Sequence, residues 1–271
     1  MVCVENSNFS IGQICQSGQC FRMSELECSD GEKVGLVAHG RYMEVSQLGN
    51  TIYFDCTQTD YDRIWKKYFD METDYAKIIG SIDTQDSYLL AAAEFGKGIR
   101  ILQQDLWEMI ISFIISQQNN IKRIRRCIQL LCKNYGEQKV DDNGVEYYDF
   151  PTPQSLAHAQ IDELYACNLG YRSRYIHETA NSICNGSVAL ECLPQLGYTK
   201  AKEELLKLCG VGEKVADCIC LFALHMTEAF PKDTHINKVL AAKYPEGFPF
   251  ERYASYSGIL QQYMFYYDLK K

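Results

Sequence analysis

A lysine, a cysteine and an aspartate stand at spacings that suit chemistry on an electrophilic carbon. Lys214 follows Cys209-Gly210-Val211-Gly212-Glu213, Cys218 lies four residues further on, and Asp233 comes nineteen residues after the lysine, behind Pro231-Lys232. The glycines interrupt two amphipathic stretches, one containing Leu205, Leu206 and Leu208, the other running from Glu213 to about Met226. That pattern predicts a helix, a glycine turn and a second helix. Such a turn lets amides at a helix start face outward, an anion site suited to a phosphate. Lys214 falls in the first turn of the second helix, where the dipole disfavours a cation. Partial burial acts in the same direction, and a neutral amine is a nucleophile. Cys218 shares its helical face one turn along. Asp233 stands where an N-cap is expected for a helix beginning near Thr234, with Pro231 ending the preceding element. A helix of about thirteen residues and a loop would return the chain so that lysine and carboxylate share a cleft. Singly, the plainer readings are a glycine-capped helix pair, a surface lysine and a capping aspartate.

The elements that must position these groups follow from periodicity. Cys20–Ser24, Val34–His39, Tyr42–Gln47 and Thr51–Cys56 are short, rich in β-branched and aromatic residues, and separated by turn residues; residues 1 to about 58 read as strands. From Tyr61 the period becomes helical, as in Leu106, Met109, Ile110, Phe113 and Ile114 within Gln104–Gln117. Strands followed by helices predict an α+β fold: an antiparallel sheet lobe with flanking helices over residues 1–90, then a helical array over 91–271. The last helix is expected to pack back toward the first lobe. The chain has 271 residues and a net charge of −8, which counts against coating nucleic acid through bulk charge and leaves local basic patches open. Thirteen cysteines meet no zinc or iron–sulfur spacing and suit a reducing compartment, as small apolar residues. No apolar run spans a membrane, and the polar start is unlike a secretory signal.

Taken together, these motifs resemble the helix–hairpin–helix DNA glycosylases, and within them the 8-oxoguanine DNA glycosylase/lyase family. The hairpin, with Cys209 where the family has proline, is joined by Gly18-Gln19-Cys20-Phe21-Arg22-Met23. Ser116-Gln117-Gln118-Asn119-Asn120-Ile121-Lys122-Arg123-Ile124 resembles the asparagine-rich segment, with Gln118 in place of asparagine. Leu169-Gly170-Tyr171-Arg172-Ser173-Arg174-Tyr175 and Gly258-Ile259-Leu260-Gln261 with Phe265 complete the set. In this order they cover residues 12 to about 266.

The resemblance implies a base-excision enzyme with associated β-lyase activity, acting on a nucleotide turned out of double-stranded DNA. Lys214 is then the nucleophile and Asp233 its electrostatic and acid–base partner. The Gly18 carbonyl would accept from N7–H of the lesion, where ordinary guanine offers only an acceptor. Gln261 would read the Watson–Crick edge, with Phe265 and Cys218 as walls and Pro231 beside them. Arg123 and Arg172 would face an orphaned cytosine, Tyr171 would wedge the stack, and Gln118, Asn119 and Asn120 would line the vacated space. His235 and the Gly210-Val211-Gly212 amides would hold phosphates. No redox or organic cofactor is implied; a monovalent cation on the carbonyls of Leu206, Leu208 and Val211 is. A monomer, away from membranes, is expected in the cytoplasm of a bacterium or the nucleus of a eukaryote. The competing readings are a non-catalytic helix–hairpin–helix DNA binder and a glycosylase for another damaged base.

Overall fold

The computed structural model describes all residues, 1–271. Five antiparallel strands form one sheet in the order β1-β5-β4-β3-β2: β1 Val2–Glu5, β2 Met23–Glu25, β3 Glu32–Ala38, β4 Arg41–Leu48 and β5 Thr51–Phe54. In β4 alternation places Met43, Val45 and Gln47 in the core and leaves Arg41 and Leu48 exposed. Gln47 is tolerated there because its amide donates to the carbonyls of Phe9 and Gly49 and accepts from Ile11 N–H. His39 and Gly40 both take positive φ between β3 and β4, as a tight two-residue turn requires.

The first sixty residues are less uniformly strand than their composition suggests. Val2–Glu5 pairs with β5, with Val2 opposite Phe54, and Ile11–Gln16 forms a short helix (α1) capped by Ser10. Only Met23 and Ser24 of the expected strand Cys20–Ser24 are extended in the sheet. A second small sheet, β6 Gln138–Val140 with β7 Glu146–Tyr148, flanks the turn at Asp141–Gly144. The remainder is helical, and no helix is long and apolar enough to cross a membrane.

The compact units do not follow a 1–90 and 91–271 division. One unit holds residues 1–35, 43–103 and 225–271; the other holds 36–42 and 104–224. The first unit regains the carboxyl-terminal segment because helix Ser257–Lys270 packs on helix Ser87–Phe95 and on helix Thr234–Lys243. Its centre is the fully buried Arg100, which donates to the carbonyls of Asn8, Phe69, Asp70 and Thr73 and lies 4.1 Å over the Tyr75 ring. Burial pulls that guanidinium down from its usual pKa, against the pull of Tyr75 and Asp70. In the second unit the almost wholly buried helix Leu106–Ser116 packs on helix Glu213–Phe222, with Phe113 and Phe222 stacked at 5.7 Å.

Candidate active site

In the second unit the expected hairpin is present: helix Tyr198–Leu205, a turn, and helix Glu213–Phe222, which stops four residues short of Met226. Gly210 takes φ +79, and a Cβ there would come within 2.6 Å of the Tyr175 ring, so glycine is needed twice over. Gly212 is the extended N-cap; a Cβ on it meets nothing, and no side chain caps the helix start. The amides of the first turn are therefore donors without an intrahelical partner, the arrangement that receives an anion. The turn is braced from outside by Thr179 Oγ1 donating to the Cys209 carbonyl at 2.9 Å and Gln117 Nε2 donating to the Gly210 carbonyl at 2.8 Å. Burial and the neighbouring Glu178 carboxylate push the Cys209 thiol up to about 11.

Lys214 is half-buried in the first turn of that helix, its ammonium 5.3 Å from the centre of the Phe113 ring. Cys218 is buried one turn along. A cluster that the sequence did not single out flanks them. Lys202 bridges Glu213 and Asp217 at 2.7 and 2.9 Å, and the Tyr198 hydroxyl donates to Asp217 at 2.7 Å. Each of these side chains alone reads as an ordinary helix-surface residue.

The segment 117–123 lies in the same unit. Gln118 is exposed and takes φ +47, a left-handed conformation more often given to glycine or asparagine. Asn119 donates to the Ile115 carbonyl, and Asn120 caps helix Ile121–Tyr135 by accepting from Arg123 N–H at 3.0 Å. Arg172 is 3% exposed. Its guanidinium donates to the carbonyls of Gln117, Gln118 and Leu169 and lies 4.5 Å over the Tyr171 ring. Tyr171 itself is exposed, edge-on to Tyr175. Arg123 is exposed; it and Arg172 both pull the buried Cys127 thiol down, against the larger upward push of burial. The structure thus brings both arginines and the 117–120 segment together, but Arg172 is engaged by backbone carbonyls.

The first unit holds the other predicted residues. Gly18 has φ +78 and is framed by two buried amides. Gln19 donates to Ser17 Oγ and the Arg100 carbonyl and accepts from Leu102 N–H, while Gln262 donates to the Ser17 carbonyl at 2.7 Å. Sequence motifs flagged Gln19 only as part of a segment and Gln262 not at all; two glutamines inside an otherwise apolar stretch were the available signal. Gln261 is 4% exposed, its Nε2 donating to the Pro231 carbonyl at 3.0 Å, and its Oε1 has no partner. An unpartnered amide carbonyl at this burial costs about 1–3 kcal/mol unless a ligand supplies a donor. Asp233 is the predicted N-cap, accepting from Ile236 N–H at 2.8 Å. His235, expected to meet a phosphate, is paired through Nδ1 with Asp268 at 2.7 Å and stands edge-on to Phe265.

The model of the 8-oxoguanine DNA glycosylase N-terminal domain matches residues 1–110, and that of the HhH-GPD superfamily of base excision DNA repair proteins matches 111–245. The N-glycosylase/DNA lyase of Saccharomyces cerevisiae is 30% identical over 263 residues, covering 89% of this chain and 70% of the yeast protein. Among solved structures, the 8-oxoguanine glycosylase/lyase of Clostridium acetobutylicum in complex with double-stranded DNA containing cytosine opposite 8-oxoguanine superposes with a TM-score of 0.90 at 32% identity, covering 100% of this chain and 98% of that one. Its apo form gives 0.90 at 33%, covering 98% and 99%.

Proposed function

The chain belongs to the 8-oxoguanine DNA glycosylase/lyase family, and we propose that it excises 8-oxoguanine from double-stranded DNA and then cleaves the strand at the resulting site. One observation carries the reading: in a chain that the family models match over residues 1–245, the hairpin presents Lys214 in the first turn behind Gly210 and Gly212.

The lesion leaves the stack because its glycosidic carbon is unreachable within the duplex. Outward amides after Gly212 take a backbone phosphate. Lys214 Nζ attacks C1′ of the lesion nucleotide; the C1′–N9 bond breaks and its electron pair leaves with the base. Asp233 stabilises the positive charge developing on the sugar. Loss of a proton from the nitrogen and opening of the ring give an imine. Removal of a C2′ proton then expels the 3′ phosphate. Discrimination rests on Gly18, whose carbonyl accepts from N7–H of the lesion but faces a bare acceptor on guanine. Gln261 Oε1, unpartnered in the protein, accepts from the N–H groups of the purine's Watson–Crick edge, and Phe265, four residues on, stacks on the base. Arg123, Tyr171 and the 118–120 segment meet the opposite strand, where cytosine is the favoured partner.

The monovalent cation on the carbonyls of Leu206, Leu208 and Val211 belongs to this reading. The Leu208 carbonyl already accepts from Val211 N–H at 3.1 Å, which leaves one of its lone pairs for an ion. Bound there, the ion would counter phosphate charge, and the chemistry of base release does not pass through it. A reducing intracellular compartment fits the same reading.

Borohydride reduction in the presence of an 8-oxoguanine:cytosine duplex tests the assignment. A covalent protein–DNA adduct is expected with the wild type and none with Lys214→Gln, which should keep duplex affinity because the hairpin amides are untouched. Trapping that persists in the variant removes Lys214 from the role.

A further inference from the structure

Lys202 takes no part in the reaction just described, yet it is the best-connected cation of the hairpin. It holds Glu213 and Asp217 together, and its side chain is 21% exposed against 9% for Asp217. Desolvation pulls Lys202 down, but hydrogen bonds to Glu213 and Asp217, with the Asp217 charge, raise it above the usual lysine pKa. It is therefore a full positive charge throughout the range in which an ordinary amine titrates.

Glu213 and Asp217 are one turn apart on their helix, as are Lys214 and Cys218, so the two ridges run side by side about 100° apart. Lys214 consequently has a carboxylate immediately before it and another three residues on. Carboxylates attract a cation, and an ammonium has no lone pair with which to attack C1′, so whatever balances this pair bears on the nucleophile. Asp233, the partner of Lys214 in the proposed reaction, is a further carboxylate and offsets nothing. Phe113, the side chain that meets Lys214 from helix Leu106–Ser116, is uncharged, and the carboxylate of that helix, Glu108, sits at its opposite end. From helix Tyr198–Leu205 come Lys202 and the Tyr198 hydroxyl, while Glu204 is turned to Lys207.

We propose that Lys202 is a positioning residue for the nucleophile: by balancing Glu213 and Asp217 and fixing the helix that carries them, it lets Lys214 release its proton at working pH. The proposal rests on Lys214 being the nucleophile.

Single-turnover base release and borohydride trapping, followed between roughly pH 6 and 10, test it. In Lys202→Met the limb on which Lys214 deprotonates should move about half to one unit to higher pH, so the rate near neutrality falls roughly threefold to tenfold and recovers in alkali. Lys202→Arg, which keeps the charge, should follow the wild type. Glu213→Gln changes an exposed residue and does not depend on a buried site refolding; it should move the same limb toward lower pH. Affinity for a duplex carrying a non-cleavable abasic analogue should stay within about twofold in all three, since the phosphate-binding amides are unchanged. A loss equal at every pH, an unaltered Lys202→Met enzyme, or a Glu213→Gln profile that coincides with the wild type overturns the role. Lys214→Gln separates the two assignments. If that variant is still trapped, the nucleophile falls and the role of Lys202 with it; if trapping is lost while the other profiles stay put, Lys202 alone falls.

Discussion

Around Gly18 the first unit surrounds a left-handed glycine with buried amides, whereas around Gln118 the second unit sets a left-handed glutamine on the surface. Gly18 needs its φ of +78 and has no side chain to strain; Ser17 and Gln19 beside it are tied to Gln262, Arg100 and Leu102. Gln118 takes φ +47 with a side chain present; the Arg172 guanidinium holds the Gln118 carbonyl and that of Gln117, and the amides of Gln117 and Asn119 tie the residues on either side. The first arrangement is fixed before any ligand arrives. The second depends on Arg172, a group that the opposite strand would also attract. In the proposed reaction the lesion is read by the rigid element and the partner base by the less constrained one. Lesion discrimination should then be stricter than partner-base discrimination.

The comparison can be broken most forcefully at Gln19. Gln19→Leu fills nearly the same volume but leaves the Arg100 carbonyl without this donor and Leu102 N–H without its acceptor. Each orphaned group costs roughly 1–3 kcal/mol. Urea denaturation should show the loss as a lower midpoint with an unchanged slope. Base release should slow alike opposite cytosine and opposite adenine, because the Gly18 carbonyl loses its bracing whatever the partner. A change confined to one partner would show that the buried amides do not serve lesion reading.

Arg172 and Arg123 divide the opposite-strand element. Arg172→Ala removes donors from three carbonyls and should lower stability by about 1–3 kcal/mol. It should also lower excision opposite both bases, since the 117–118 turn loses its brace. Arg123→Ala removes an exposed side chain and should leave stability within about 0.5 kcal/mol. It should reduce the preference for cytosine over adenine by about tenfold or more, one matched contact being worth roughly 1–3 kcal/mol. Single-turnover rates on the two duplexes, beside denaturation curves, distinguish them. If Arg172→Ala keeps its stability and flattens the preference, it reads cytosine directly and the brace is secondary.

What the sequence disclosed follows the range of the interactions concerned. The Asp233 cap rests on a bond three residues long and the Gly210 turn on glycine's own left-handed φ, and both were legible, whereas the Thr179 and Gln117 braces on that turn were not. Lys202 was not: its partners lie eleven and fifteen positions ahead, on another helix. The bonds that frame Gly18 join positions 81 to 245 residues apart, so Gln262 looked like any glutamine in an apolar helix. Strand β1 was hidden because four residues with one buried valine carry little pattern, and its existence depends on β5. The Leu-Gly-Tyr-Arg motif drew attention to Arg172. Its engagement by the Gln117 and Gln118 carbonyls was not legible, since those groups lie 55 and 54 positions away.

The smallest expected effect is at Gln118 itself, and it sharpens the comparison from the other side. A left-handed φ is commoner for asparagine, whose short amide hydrogen-bonds locally, than for glutamine. Gln118→Asn therefore relieves backbone strain at an exposed position, and the stability gain should stay within about 0.5 kcal/mol. The functional gain should be larger than the thermodynamic one. A turn that prefers its own conformation leans less on Arg172, and a side chain shorter by one methylene samples fewer rotamers where the opposite base is met. The preference for cytosine over adenine should rise by a few fold, with the rate opposite cytosine nearly unchanged. In the double variant Gln118→Asn with Arg172→Ala, part of the excision lost through Arg172 should return, because the turn then holds itself. A double-mutant cycle on single-turnover rates measures that coupling. Strict additivity would mean that Arg172 and Gln118 act independently, and the brace would no longer account for the softer half of the comparison.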